Sequence, residues 1–255
     1  MTITLLGTGT SQGVPVIGCT CEVCTSSDPR DNRLRSSALI TAGGQNILID
    51  AGPDFRQQML RARVNHLDAI ILTHEHNDHV IGLDDVRPFN HRSGSSIDVF
   101  ALPRVAAEVK KRFEYVFAEY IPGLPRIELK PVEVGSFISV GSVKVEPIGI
   151  MHGRLPIVGV RIGEFAYLTD VKTIQESEFR KLFGVKKLVI NALHQEWHPT
   201  HLNLSEALEI VGALQPEETW LTHISHQMGL HADMEAALPP HVKFAYDGMR
   251  IDIKY

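Results

Sequence analysis

Three strand-like runs of this chain close on the same phrase although they lie far apart: Ile71-Leu72-Thr73-His74, Tyr167-Leu168-Thr169-Asp170 and Trp220-Leu221-Thr222-His223. A fourth, Ile148-Gly149-Ile150-Met151, finishes on His152. Each apolar run delivers a metal-type donor to a rigid edge, and loops at strand ends are where function collects. The fold must therefore carry the ends of several non-adjacent strands to one place.

Short β-like runs alternate with helical ones along the whole chain. The strand-like runs are Thr2–Leu6, Ala38–Thr41 and Asn46–Asp50 around a Gly43-Gly44 turn, Ala69–Leu72, Ile97–Leu102, Val143–Ile150, Val158–Ile162, Phe165–Leu168, Lys187–Ala192 and Thr219–Leu221. Helical spacing is found at Phe55–Val64, Val105–Phe117 and Leu204–Leu214, the last preceded by Asn203 with Glu206 as a capping box. Tyr246-Asp247-Gly248-Met249 reads as a final hairpin turn. Hairpin signals near both ends favour antiparallel pairing, and the helices must cover sheet faces, so the expected class is α/β (α+β): two sheets packed together with helices outside. With no repeat, biased tract or linker, residues 1–255 are expected to form one domain.

The net charge of −5 gives no extended basic face for nucleic acid. No run of 18 apolar residues occurs and the first residues lack a basic leader, so neither membrane insertion nor export is expected and the chain is placed in the cytoplasm. The assembly state stays open, a homodimer included. All three cysteines fall in one loop, residues 18–25, as Cys19, Cys21 and Cys24. An odd, clustered set suits thiolates held for a metal better than disulfides. A structural zinc needs four ligands, and His226, three residues after His223, is the expected fourth.

The densest signal is His74-Glu75-His76-Asn77-Asp78-His79, directly after an apolar strand. Imidazole and carboxylate suit zinc, manganese or iron, and so many donors in one loop exceed the needs of one ion. Further on, His194, His198 and His201 precede the capped helix.

The H-x-H-x-D-H spacing, followed in order by His152, Asp170 and His223, resembles the signature of the metallo-β-lactamase superfamily. The resemblance implies a four-layer αββα sandwich, one ion held by His74, His76 and His152, a second by Asp78, His79 and His223, and Asp170 bridging both. The di-iron oxygen-reducing branch typically has glutamate where this chain has His76, which weakens a redox role. Family phosphodiesterases and transfer-RNA 3′-processing endonucleases carry a histidine that acts on the leaving group. His201 matches it best, with His194 and His198 behind it.

The three-cysteine loop with Thr222-His223-Ile224-Ser225-His226 is similar to the phosphoribosyl 1,2-cyclic phosphate phosphodiesterase family of the carbon–phosphorus lyase pathway. It implies a structural Zn²⁺ on Cys19, Cys21, Cys24 and His226. The expected activity is hydrolysis of a small, cyclic or nucleotide-like phosphodiester by a hydroxide bridging two divalent ions, Mn²⁺ or Zn²⁺, with Asp78 and His201 as catalytic residues. The alternatives are a transfer-RNA-processing or oligonucleotide nuclease and a thioester hydrolase of the same superfamily. Gly7-Thr8-Gly9 is expected to be a tight loop under the site, and Arg30, Arg33 and Arg35 a solvated cluster.

Overall fold

In the computed structural model, which describes residues 1–118 and 121–254, two seven-stranded sheets face each other. Along the first sheet the strands run β14 (Arg250–Asp252), β1 (Thr2–Gly7), β2 (Ser37–Ala42), β3 (Gln45–Ile49), β4 (Ala69–Ile71), β5 (Ile97–Ala101) and β6 (Ile127–Pro131). Along the second they run β13 (Val242–Phe244), β12 (Glu218–Thr222), β11 (Lys187–Asn191), β10 (Phe165–Leu168), β9 (Leu155–Ile162), β8 (Val143–His152) and β7 (Ile138–Val140). Each sheet is mixed. From β14 through β3 and from β7 through β10 the pairing is antiparallel; from β3 to β6 and from β10 to β13 it is parallel.

The near-continuous apolar runs follow from burial on both sheet faces. Successive side chains alternate, so Ile47 and Ile49 of β3 join Phe165 and Tyr167 of β10 between the sheets. Leu48 instead faces outward onto Phe55 and Met59 of helix Phe55–Ala62 and Val105 and Val109 of helix Pro103–Arg112. On the other outer face, Ala166 and Leu168 meet Ala207, Val211 and Leu214 of helix Leu204–Leu214. Helix, sheet, sheet, helix makes the αββα sandwich. Asn203 accepts from Glu206 N at 2.9 Å while Glu206 Oε2 accepts from Asn203 N at 2.9 Å, closing the capping box.

Two expectations are corrected. Tyr246–Met249 does form a turn, Met249 N donating to Tyr246 O at 3.1 Å, yet no hairpin results. It crosses between sheets, because β13 lies parallel to β12 while β14 pairs with β1. The helix expected over Val105–Phe117 breaks at Phe113 (φ −113°, ψ 40°), whose buried ring turns into the core before a short turn Glu114–Phe117.

The parallel registers aim the site. Leu168, Ile190 and Leu221 sit side by side across β10, β11 and β12. Two residues later Asp170, Ala192 and His223 leave the same edge. In the first sheet Ile49 pairs with Ile71, so Asp50 and the His74 loop also emerge together.

Candidate metal centre

Most of the histidines are oriented by what their Nδ1 atoms meet. Thr73 Oγ1 donates to Asp50 Oδ2 at 2.8 Å, so as the partner of His74 Nδ1 at 3.0 Å it accepts. Ser36 Oγ donates to Gly9 O at 2.9 Å and therefore accepts from His223 Nδ1 at 3.0 Å. His152 Nδ1 donates to Thr200 O at 2.9 Å, and His79 Nδ1 to Asp50 Oδ2 at 2.6 Å. His74, His152 and His223 are thereby held as the Nδ1–H tautomer, which leaves a lone pair on Nε2, and His79 keeps its Nδ1 proton on Asp50.

Those Nε2 atoms point inward. His223 Nε2 lies 3.2 Å from Asp170 Oδ1, and His79 Nε2 lies 3.1 Å from Asp78 Oδ2 and 3.5 Å from Asp170 Oδ2. His74 Nε2 is 3.0 Å from His76 Nδ1. Donor atoms of His74, His76 and His152 lie within 4.8 Å of one another, as do those of His74, His79 and Asp170, and of His152, Asp170 and His201. His79 Nε2 and His201 Nδ1 are buried without a hydrogen-bond partner. Buried polar atoms are normally satisfied, so convergent, unpartnered donors fit a cation.

The electrostatics agree. Burial, helped by neighbouring imidazoles, pushes His74 well below the usual histidine range and lowers His76. Burial also lowers His223. These rings are neutral, as metal ligation requires. His79 is the exception: burial opposes its charge, yet Asp170, Asp50 and Asp78 raise it well above the usual range. Three carboxylates converging on one imidazole have negative charge that a divalent ion would neutralise. Asp50, Asp170 and His223 also hold left-handed backbone at φ 60°, 59° and 55°, which costs a non-glycine residue about 1 kcal/mol or more and clusters at functional sites.

Glu75, inside the donor-rich loop, turns away: its carboxylate pairs with Arg104 and its carbonyl accepts from Arg112. The loop closes against its support because Gly52 has no Cβ; one there would lie 2.0 Å from Asp78 O. Gly7 is equally tight, its Cβ position 1.9 Å from Arg35 O, as expected for a close loop.

The leaving-group candidates separate by distance from the donor cluster and not by burial, since His194 is as buried as His201. His201 is buried, its ring 4.5 Å from that of His152 and stacked 4.8 Å from that of His223. Burial, then His223, push it down to about 2, so its imidazole is neutral. His198 lies one ring further out, 5.2 Å from His201, and His194 another step away, 5.7 Å from His198.

Cys19, Cys21, Cys24 and His226 form a separate group, all four donors within 4.8 Å, with both Cys19 Sγ and Cys21 Sγ 3.4 Å from His226 Nδ1. The Cys21 thiol is lowered to about 6, chiefly by the Cys24 backbone N–H and then by His226, while burial raises Cys24 to about 11.

The expectation for Arg33 is corrected. It is buried, donating to Thr8 Oγ1 at 2.9 Å and Ala245 O at 2.5 Å, with His231 Nδ1 at 3.0 Å. It ties the site-bearing loops to the end of β13. Sequence reasoning also passed over Asp50, Thr73, Ser36 and Thr200. Asp50 had a signal, an aspartate closing an apolar strand-like run, and so did Thr73, the threonine repeated before the donor at three strand ends.

A family model described as a beta-lactamase superfamily domain matches residues 45–224. The chain belongs to the metallo-β-lactamase superfamily. Within that superfamily, the crystal structure of a diphosphatase from the PhnP family superposes with a TM-score of 0.93 at 38% identity, over 99% of this chain and 98% of that one. This accords with the narrower resemblance carried by the cysteine loop. An octanoyltransferase of Porphyromonas gingivalis is 45% identical over 249 residues, 96% of this chain and 50% of that protein. A ribonuclease Z of Bradyrhizobium is 29% identical over 134 residues, 50% of this chain and 44% of that protein. The chain thus spans about half the length of these curated relatives. Among the described residues no helix is long and apolar enough to cross a membrane.

Proposed function

We propose that this chain is a metal-dependent hydrolase of small phosphodiesters, with a cyclic or nucleotide-like ester as substrate. The convergence of inward Nε2 lone pairs on Asp170 carries the reading. In it, His74, His76 and His152 would hold one divalent ion and Asp78, His79 and His223 a second, with Asp170 shared between the two sets; Mn²⁺ and Zn²⁺ both suit such donors. Cys19, Cys21, Cys24 and His226 would hold a structural Zn²⁺. The ion pair, when bound, supplies Lewis acidity toward water and toward the phosphoryl oxygens.

The chain's own groups supply orientation and protons. Thr73, Ser36, Asp50 and the Thr200 carbonyl orient four imidazoles before substrate arrives, so little reorganisation remains for the reaction itself. His201 is neutral in the free protein, but an entering phosphate anion favours its protonated form, and from that form it gives a proton to the departing oxygen. The diphosphatase relative supports phosphoryl over acyl chemistry. Octanoyl transfer is no part of the proposal: all three thiols gather with His226 instead of facing the histidine cluster, which leaves no cysteine nucleophile there. The negative net charge disfavours a long polyanion, so a nuclease of long RNA ranks behind a small ester.

The test is release of p-nitrophenolate from bis(p-nitrophenyl) phosphate with added Mn²⁺ or Zn²⁺. Turnover that a chelator removes is expected. No release above the chelated control overturns the phosphodiesterase reading, and cleavage of a glutathione thioester instead makes the protein a thioester hydrolase. Ser36→Ala is expected to free the His223 ring and weaken binding of one active-site ion by about 10- to 100-fold. Competition with a chromogenic chelator measures this, and unchanged affinity would show that Ser36 does not orient His223.

A further inference from the structure

The chain has two tryptophans, and they are placed oppositely: Trp220 is buried in the core, whereas Trp197 is 66% exposed. The exposed indole is nonetheless held. Lys172 Nζ lies 5.2 Å from its ring centroid, and the same ammonium reaches Glu206 Oε1 at 2.6 Å and Oε2 at 2.8 Å. Glu206 is itself fixed in the capping box. Lys172 N donates to Met151 O at 2.7 Å, so the segment under the indole is tied to the strand end that carries His152 and follows Asp170 by two residues. Next in the chain comes His198, whose ring leads to His201 at 5.2 Å and so to His152 at 4.5 Å. Trp197 therefore lies on the segment that carries His198 and His201, against Lys172 beside the strand end of His152.

We propose that Trp197 is a stacking platform for an aromatic base on the leaving-group side, so that the substrate is a nucleoside-bearing phosphodiester or diphosphate, not a base-free sugar phosphate. This rests on the phosphodiesterase reading above. An indole kept largely in water, with an ammonium near its ring, presents a π-face on which any nucleobase stacks at little conformational cost. Its place on the segment that carries His201, the proposed proton donor, puts that base on the part of the substrate that departs. The binding class follows: purine or pyrimidine nucleotides, held by ring stacking with little choice among bases.

Fluorescence reads the platform without turnover, because Trp220 supplies a buried background. Titrating the metal-loaded protein with AMP is expected to quench the exposed emission, and ribose 5-phosphate is expected to leave it in place. Trp197→Leu is expected to abolish the AMP quench. An absent quench, or one that persists in Trp197→Leu, overturns the proposal. Kinetically, the methyl esters of AMP and of ribose 5-phosphate differ only in the base. The ratio of their kcat/KM values is expected to fall by about ten-fold or more in Trp197→Leu and to recover largely in Trp197→Phe. Equal cleavage of both esters by the wild-type chain would remove the platform and leave the phosphodiesterase reading standing. If neither ester nor bis(p-nitrophenyl) phosphate turns over, that reading fails and the fluorescence titration still decides the platform.

Discussion

Replacing Asp78 by alanine is expected to lower kcat/KM for phosphodiester hydrolysis by about 10³-fold or more and to remove one of two active-site ions. The side chain meets His79 Nε2 at 3.1 Å, with His223 also attracting it and Asp170 close enough to repel it. Burial disfavours its charge, yet the His79 imidazole holds its carboxyl far below the usual carboxylate range, so it is a fixed anion ready for a cation. Removing it leaves the backbone support intact, since it is the Asp78 carbonyl, not the carboxylate, that packs over Gly52. It also relieves repulsion from Asp170, but the lost His79 attraction is the larger of the two. The metal-free variant should therefore melt lower than the metal-free parent at neutral pH, and the metal-loaded variant gains less from added Mn²⁺ or Zn²⁺. Elemental analysis with paired melting curves measures both. Two retained active-site ions together with activity within ten-fold of the parent would contradict the assignment of Asp78.

Much of this site was legible because its donors sit where strand periodicity stops. An apolar run that ends in threonine and then histidine or aspartate reads as a strand delivering a ligand, and the parallel registers across β10, β11 and β12 carry two such endings to one edge. Helix Leu204–Leu214 was legible to its ends because Asn203 and Glu206 encode its start. Strands β6 and β7 were not, since β6 is half exposed along its length and β7 has three residues, too few for a period to show. Tyr246-Asp247-Gly248 states that the chain turns but not which sheets lie on either side. Arg33 looked like part of a solvated cluster because its partners Ala245 and His231 are about two hundred positions away. Ser36 and the Thr200 carbonyl fix tautomers through a single hydroxyl or backbone atom, which leaves no spacing pattern to read.

Cys21→Ser is expected to destabilise the protein, lowering Tm by about 10 °C. The loop over residues 18–25 has little else to hold it. Of its side chains only Val23 is buried, Thr20 and Glu22 are exposed, and Ile17 just before it is fully exposed. Its backbone bonds are short-range turns such as Cys19 N to Val16 O at 3.0 Å and Thr25 N to Cys21 O at 3.0 Å. Ordering such a segment costs conformational entropy that burial of one valine does not offset, so the thiolates and their ion must supply the difference. Loss of one ligand should therefore loosen the loop first, and a glutamate-specific protease should nick the variant after Glu22 while the parent resists. The effect should also reach the other cluster weakly. His226 shares a short segment with His223, and Ile224 N donates to Thr8 O at 2.9 Å, which clamps that segment between the two sites. The clamp persists when the thiolate site is lost, so total zinc should fall by about one equivalent while the dinuclear pair remains. Unchanged Tm, unchanged zinc content and unchanged resistance at Glu22 would together show that Cys19, Cys21, Cys24 and His226 hold no structural ion.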